Sequence, residues 1–78
     1  NERITVEVKS MITEKVGNRI KEIRKENGIS QEKLAFKAEL DRTYIAGVES
    51  GKRNASIKSL EKILIALGVS FEDFFKNM

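Results

Sequence analysis

The sequence predicts an all-α fold, a compact domain of five helices. Proline is absent from the 78 residues. The glycines fall mostly between segments whose apolar residues recur every three or four positions, the helical period. Serine or aspartate stands just ahead of most of these segments, where a helix N-terminus needs a side-chain acceptor. A chain of this length builds a single core and buries only about 60% of the surface it exposes when unfolded. Its stability margin is therefore thin, and a partner subunit would widen it.

In the first helix Ile12, Val16, Ile20 and Ile23 share one face, with Thr13 a candidate cap near the start. Asn27-Gly28 stops it, and Ile29 can fold back on Ile23 to close the end. Ser30 caps a short second helix, about Gln31 to Lys37, with Ile29 and Leu34 spaced as a hydrophobic staple. Asp41 is placed to cap a third helix that runs to Glu49 or Ser50, with Ile45 and Val48 inward and Arg42, Thr43, Ala46 and Gly47 outward.

Ser56 caps a fourth helix, in which Ile57, Leu60, Leu64 and Leu67 form a stripe that Ile63 widens; Gly68 ends it. Ser70-Phe71-Glu72-Asp73 has capping-box spacing, and Val69 with Phe74 makes a staple, so a fifth helix of two turns follows. Residues 1–10 stand apart from the domain of residues 11–78. Ile4, Val6 and Val8 alternate with polar residues, a strand period with no second strand to pair with. They read as an arm, and three alternatives stay open: disorder, an extension of the first helix, or sequence extraneous to the domain.

Composition excludes several classes of function. There is no cysteine and no histidine, which removes disulfides, thiolate chemistry, most zinc sites and the commonest general base. No metal, cofactor or catalytic set is expected. The paired carboxylates Glu22 and Glu26, and Glu72 and Asp73, are accounted for by solvation and helix-dipole roles. No apolar run is long enough to span a membrane and no signal-peptide pattern is present, so a cytoplasmic protein is expected. The net charge of +3 is modest. Its distribution says more, because Arg42, Lys52, Arg53 and Lys58 gather in the middle of the chain, away from Glu72 and Asp73.

The informative stretch is Gln31 to Ser50. Two helices that cross at a wide angle need a small residue where their backbones approach, and Ala35 sits there, with Leu34 and Leu40 filling the inside of the corner. Ile45 and Val48 anchor the second of the two helices, which leaves its other face as a probe. Around this stretch run R-x-x-x-G-I-S-Q-E at Arg24 to Glu32, V-E-S-G-K-R at Val48 to Arg53 and L-x-x-I-x-x-A-L-G-V at Leu60 to Val69.

In these motifs, over about residues 13–75, the chain resembles the helix-turn-helix family of lambda-type and Cro-type repressors. L-D-R-T-Y-I at Leu40 to Ile45 and R-N-A-S-I at Arg53 to Ile57 look most like the controller proteins of bacterial restriction-modification systems. One residue departs from the family pattern. Glu39 stands where the family commonly has a turn glycine, a position that often requires positive φ, although the controller subgroup often lacks that glycine too.

The resemblance implies a lambda-repressor-like DNA-binding domain. Arg42 and Thr43 are then the candidates for contact with bases or phosphates, with Tyr44, Ala46 and Gly47 on the same helix. Lys52, Arg53 and Asn54 lie in the loop expected over the phosphate backbone, Gln31 is at a helix N-terminus suited to a phosphate, and Ser56 and Ser59 open the fourth helix. Arg24 and Glu49 are implied to form a structural ion pair. The expected partners are an operator duplex and a second copy of the chain, with higher assembly on DNA and RNA polymerase as further candidates. Helix four carries more apolar residues than one core-facing stripe can use, so Ile65, Val69 and Phe74 are the candidate dimer contacts. The alternatives are a phage-type repressor and an antitoxin-like interaction module.

Overall fold

The computed structural model describes residues 2–76 and 78, with side chains from Met11 onward. It contains α1 (Glu2–Glu26), α2 (Gln31–Ala38), α3 (Arg42–Glu49), α4 (Ile57–Leu67) and α5 (Phe71–Phe75), and no strand among the described residues. The backbone of residues 2–10 is helical and continuous with α1. A lone strand leaves its ladder groups unpaired, whereas a helix satisfies its own. Where Ile4, Val6 and Val8 direct their side chains lies outside the described residues, as does Asn1. Thr13 is therefore inside α1 and is not its cap.

The short-range signals set the helix ends. Ser30, Ser56 and Ser70 each accept a hydrogen bond from the backbone N–H three residues on, at 3.0 to 3.1 Å. Asp41 holds the N-cap position of α3 with extended backbone, but its carboxylate makes no capping bond, contrary to expectation. At the C-terminus of α1, Gly28 N–H donates to Lys25 O and Ile29 N–H to Arg24 O, the paired bonds of a Schellman motif. α2 ends the same way: Glu39 N–H donates to Phe36 O (3.2 Å) and Leu40 N–H to Ala35 O (2.9 Å). That motif needs a left-handed residue, and here Glu39 supplies it at φ +57°, the sole non-glycine with positive φ among the described residues.

α2 packs between α3 and α4, and α1 closes over α3. The core joins Ile20 and Ile23 of α1, Leu34, Ala35 and Ala38 of α2, Ile45 and Val48 of α3, Leu60, Ile63, Leu64 and Leu67 of α4, and Phe74 of α5. Three apolar placements differ from the sequence reading. Ile12 is more than half exposed because α1 extends past the body of the domain at that end, and Ile57 is exposed because it sits on the first turn of α4 ahead of the packed stripe. Phe74 has no exposed surface at all. It is the plug that fastens α5 to the core, with Phe75 edge-on to it at 4.9 Å, so it is unavailable to a partner and falls out of the candidate interface.

Candidate nucleic-acid interface

The corner between α2 and α3 is held by an ionic knot behind it. Arg24 of α1 donates through Nε and Nη2 to the two carboxylate oxygens of Glu49 at 2.7 and 3.0 Å, and through Nη1 to Ile29 O at 2.8 Å. Both side chains are buried. The hydrogen bond to Glu49 raises the Arg24 pKa above its ordinary value, against the effect of burial. Glu49 Oε1 also accepts from Gln31 Nε2 at 3.1 Å. One carboxylate at the end of α3 thus ties α1 and the first residue of α2 to the probe helix, and among the described residues no buried polar side-chain atom is left without a partner.

Sequence reasoning missed the contact that lets α1 lie so close. Gly17 is buried in mid-helix, and a Cβ built on it would stand 2.1 Å from Val48 O and 3.0 Å from Glu49 O. The signal was present, since a glycine inside a periodic helical segment costs about 1 kcal/mol against alanine and calls for a packing reason.

In front of the knot, α3 presents Arg42 and Thr43 on its first turn, both exposed. Arg42 makes no hydrogen bond or ion pair with any described residue. Ala46 and Gly47 are half-buried further along α3. The loop after α3 folds back onto it, with Lys52 N–H and Arg53 N–H both donating to Gly47 O at 3.1 and 3.2 Å. A Cβ on Gly47 would meet Arg53 Cβ at 3.4 Å, so the glycine makes room for the loop.

Tyr44 holds the loop from the other side. Its hydroxyl accepts from Ser56 N–H at 3.2 Å, and its ring lies beneath the Arg53 guanidinium, 4.9 Å from the centroid. Burial pushes the Tyr44 phenol up, but hydrogen bonds from Ser59 and Ser56, together with the charge of Arg53, outweigh it and leave the pKa below the ordinary value. Asn54 Oδ1 accepts from the Thr13 hydroxyl, which ties the loop to α1.

The predicted residues therefore divide. Arg42, Thr43 and Lys52 offer side chains that α2, the loop and α4 do not engage, and Arg53 offers an ordered guanidinium held over a ring. Gln31, Tyr44, Asn54, Ser56 and Ser59 are brought to the same surface with polar atoms already engaged within the chain. No group of acidic residues among those described could hold a metal ion. No described helix is long and apolar enough to cross a membrane.

A short helix packed across a second, whose first turn is left exposed, is a helix-turn-helix arrangement. The sequence matches the family described as Helix-turn-helix over residues 20–74. The chain belongs to the helix-turn-helix family of lambda-repressor and Cro type. Among its relatives is the control protein C.MunI of a Mycoplasma species, 44% identical over 63 residues, which cover 80% of this chain and 85% of that one. The control protein C.BamHI of Bacillus amyloliquefaciens is 48% identical over 58 residues, covering 73% and 72% of the two chains. The restriction-modification controller protein C.Esp1396I, solved as a tetramer with its natural 35-base-pair operator, superposes with a TM-score of 0.78 at 53% identity, over 82% of this chain and 84% of that one. In helix-turn-helix terms α2 is the supporting helix, α3 the recognition helix and Gly51–Ser56 the loop beside it.

Proposed function

We propose that the chain is a sequence-specific DNA-binding regulator of transcription that serves as the controller protein of a restriction-modification system, acting in the cytoplasm as a homodimer on a pseudo-palindromic operator. The observation that carries this reading is the uncommitted Arg42 and Thr43 at the first turn of a recognition helix whose rear is locked by the Arg24–Glu49 pair. Two relatives at 44% and 48% identity, matched over 80% and 73% of the chain, are control proteins, and the reading is that of a regulator and not of an enzyme.

Two kinds of contact follow from this reading. Lys52 and Arg53 would lie along phosphates and give affinity that falls with salt but carries no sequence information. Arg42 has the fork of donors that meets guanine O6 and N7 together, and Thr43 has a methyl and a hydroxyl for a neighbouring base. Arg53 is partly ordered before binding by the Tyr44 ring, so less side-chain freedom is lost when a phosphate is met. A bound dimer acts by occupancy, excluding polymerase from a promoter or recruiting it according to where its site lies.

Selection of bound duplexes from a random pool tests the proposal. The expected result is a two-fold symmetric site whose half-sites lie about one helical turn, ~34–36 Å, apart. A pool that shows no enrichment over input refutes sequence-specific recognition.

A further inference from the structure

One side of α1 runs along the chain that leaves the recognition helix. Gly17 faces the end of α3, where a Cβ on it would stand 2.1 Å from Val48 O and 3.0 Å from Glu49 O. One turn earlier Glu14 covers the start of the loop: a Cβ on Gly51 would lie 3.1 Å from Glu14 Cγ and 3.5 Å from its Cα. Next along, the Thr13 hydroxyl donates to Asn54 Oδ1. We infer that Thr13 is a positioning residue for DNA binding, because its hydroxyl holds the Asn54 amide with the carbonyl end on α1 and the NH2 end left for a phosphate. The inference rests on the DNA-binding reading proposed above and deepens it.

The two ends of an amide differ in character, since Oδ1 accepts and Nδ2 carries two donors. Phosphate oxygens accept, so the amide serves a duplex in one orientation and opposes it in the other. Asn54 is exposed, and the last torsion of an asparagine side chain is broad and roughly two-fold, so the side chain alone does not choose. A hydroxyl donor at Oδ1 makes the choice. Nδ2 makes no hydrogen bond with any described residue and keeps its donors for the duplex.

Packing does not fix this stretch of the loop. Beneath it Thr13, Val16, Arg53, Ala55 and Leu60 border a recess of about 190 Å³. The backbone N–H groups of Lys52 and Arg53 bond to Gly47 O and that of Ser56 to the Tyr44 hydroxyl, whereas those of Asn54 and Ala55 bond to no described residue. The Thr13–Asn54 hydrogen bond is the tether in that gap. It also gives a tertiary role to a threonine that lies inside α1 and caps nothing.

The test is the binding of the full chain to its selected operator and to random duplex over a range of salt, with thermal melts to confirm that each variant folds. Thr13→Val keeps the shape and removes the hydroxyl. It is expected to weaken binding to both duplexes alike by about tenfold, from about threefold at each half-site, the worth of one net hydrogen bond. Thr13→Ser should restore wild-type affinity. Thr13→Ala, equally without hydroxyl and a better helix former, covers the case in which valine disturbs α1. Because Nδ2 is neutral, the salt slope should stay at the wild-type value, unlike that of Arg53→Ala. With Asn54→Ala already in place, Thr13→Val should cost nothing further, whereas a purely structural threonine would cost the same in both backgrounds. Asn54→Asp keeps an acceptor for Thr13 but loses the donors, so it should fold and bind worse than Asn54→Ala. Hydroxyl-free variants that bind as the wild type, a loss that serine does not rescue, or an Asn54→Asp chain with full affinity would each overturn the inference. A salt slope lowered by about one unit would overturn it too, by moving the target of the tether to Arg53. A wild-type chain that binds neither duplex would overturn the DNA-binding reading along with it.

Discussion

Replacing Glu39 by glycine should stabilise the protein, and the size of the gain follows from the turn. Glu39 sits at φ +57°, ψ 44°, held there by the two hydrogen bonds that close α2 onto Phe36 O and Ala35 O. A side chain in the left-handed region costs about 1–2 kcal/mol from the clash of Cβ with the backbone, while glycine returns about 0.5–1 kcal/mol of that through its greater freedom in the unfolded chain. The Glu39 side chain is exposed and makes no hydrogen bond or ion pair with any described residue, so no such contact is lost. The expected net gain is about 0.5–1 kcal/mol, or about 3–6 °C in Tm for a domain of this size. Thermal unfolding followed by far-ultraviolet circular dichroism reads it directly, with Glu39→Ala as the control. Alanine keeps the Cβ and should give no gain. A Glu39→Gly protein that melts at or below the wild-type temperature would show that the turn is not strained.

Four further perturbations separate the fold from the site. Arg42→Ala should weaken specific binding by about 1–3 kcal/mol and leave binding to random duplex largely intact; equal loss on both, in a competition assay, would reassign Arg42 to phosphate. Arg53→Ala should weaken binding to every sequence and lower the salt slope of log K by about one unit, and an unchanged slope would count against a phosphate contact. Gly17→Ala should cost about 3 kcal/mol or more, seen as a fall of over about 10 °C in Tm, because the new Cβ has no room against Val48 O; a wild-type melting temperature would mean that α1 can retreat without penalty. Glu49→Ala leaves the Arg24 guanidinium buried with one carbonyl partner and should destabilise by about 3–5 kcal/mol in chemical denaturation, whereas a loss under 1 kcal/mol would show that the pair is open to solvent.

What the sequence disclosed and what it withheld differ by range. Helix stops and starts were legible because they are settled within five or six residues: Ser30, Ser56 and Ser70 cap, and Gly28 and Gly68 close, where a local rule says they should. The recognition helix was legible for the same reason, since Ile45 and Val48 at i and i+3 leave Thr43 on the opposite side and Arg42 at the flank of the first turn whatever the helix packs against. Placements that depend on which element arrives from elsewhere were not legible. Ile12, Ile57 and Phe74 obey the same periodicity, yet α1 overhangs at the first, α4 has barely begun at the second, and α5 folds the third wholly inward. Polar side chains were harder still. Nothing in R-T-Y-I says that the tyrosine hydroxyl will meet Ser56 N–H twelve residues on, or that its ring will lie under Arg53.

That last pairing explains how a domain this small can keep a recognition surface ordered while leaving its two base-reading candidates free. Each polar group on the surface around α3 could serve the fold or DNA, and the chain divides them by position. The deeper ones, Gln31, Tyr44, Asn54 and Ser59, spend at least one polar atom on a neighbouring element. The outermost, Arg42 and Thr43, spend none on another element, because the N-cap Asp41 leaves the first turn of α3 open and the body of the domain lies behind Ile45 and Val48. On the proposed reading, order falls where an extra contact would not discriminate between sequences, and freedom where it would. Tyr44→Phe should therefore leave base preference unchanged while loosening the loop that carries Arg53, an effect visible as faster amide hydrogen exchange at Ser56 and a lower affinity for all duplexes alike. A change in the selected sequence at any one base position would instead place the Tyr44 hydroxyl among the groups that read DNA.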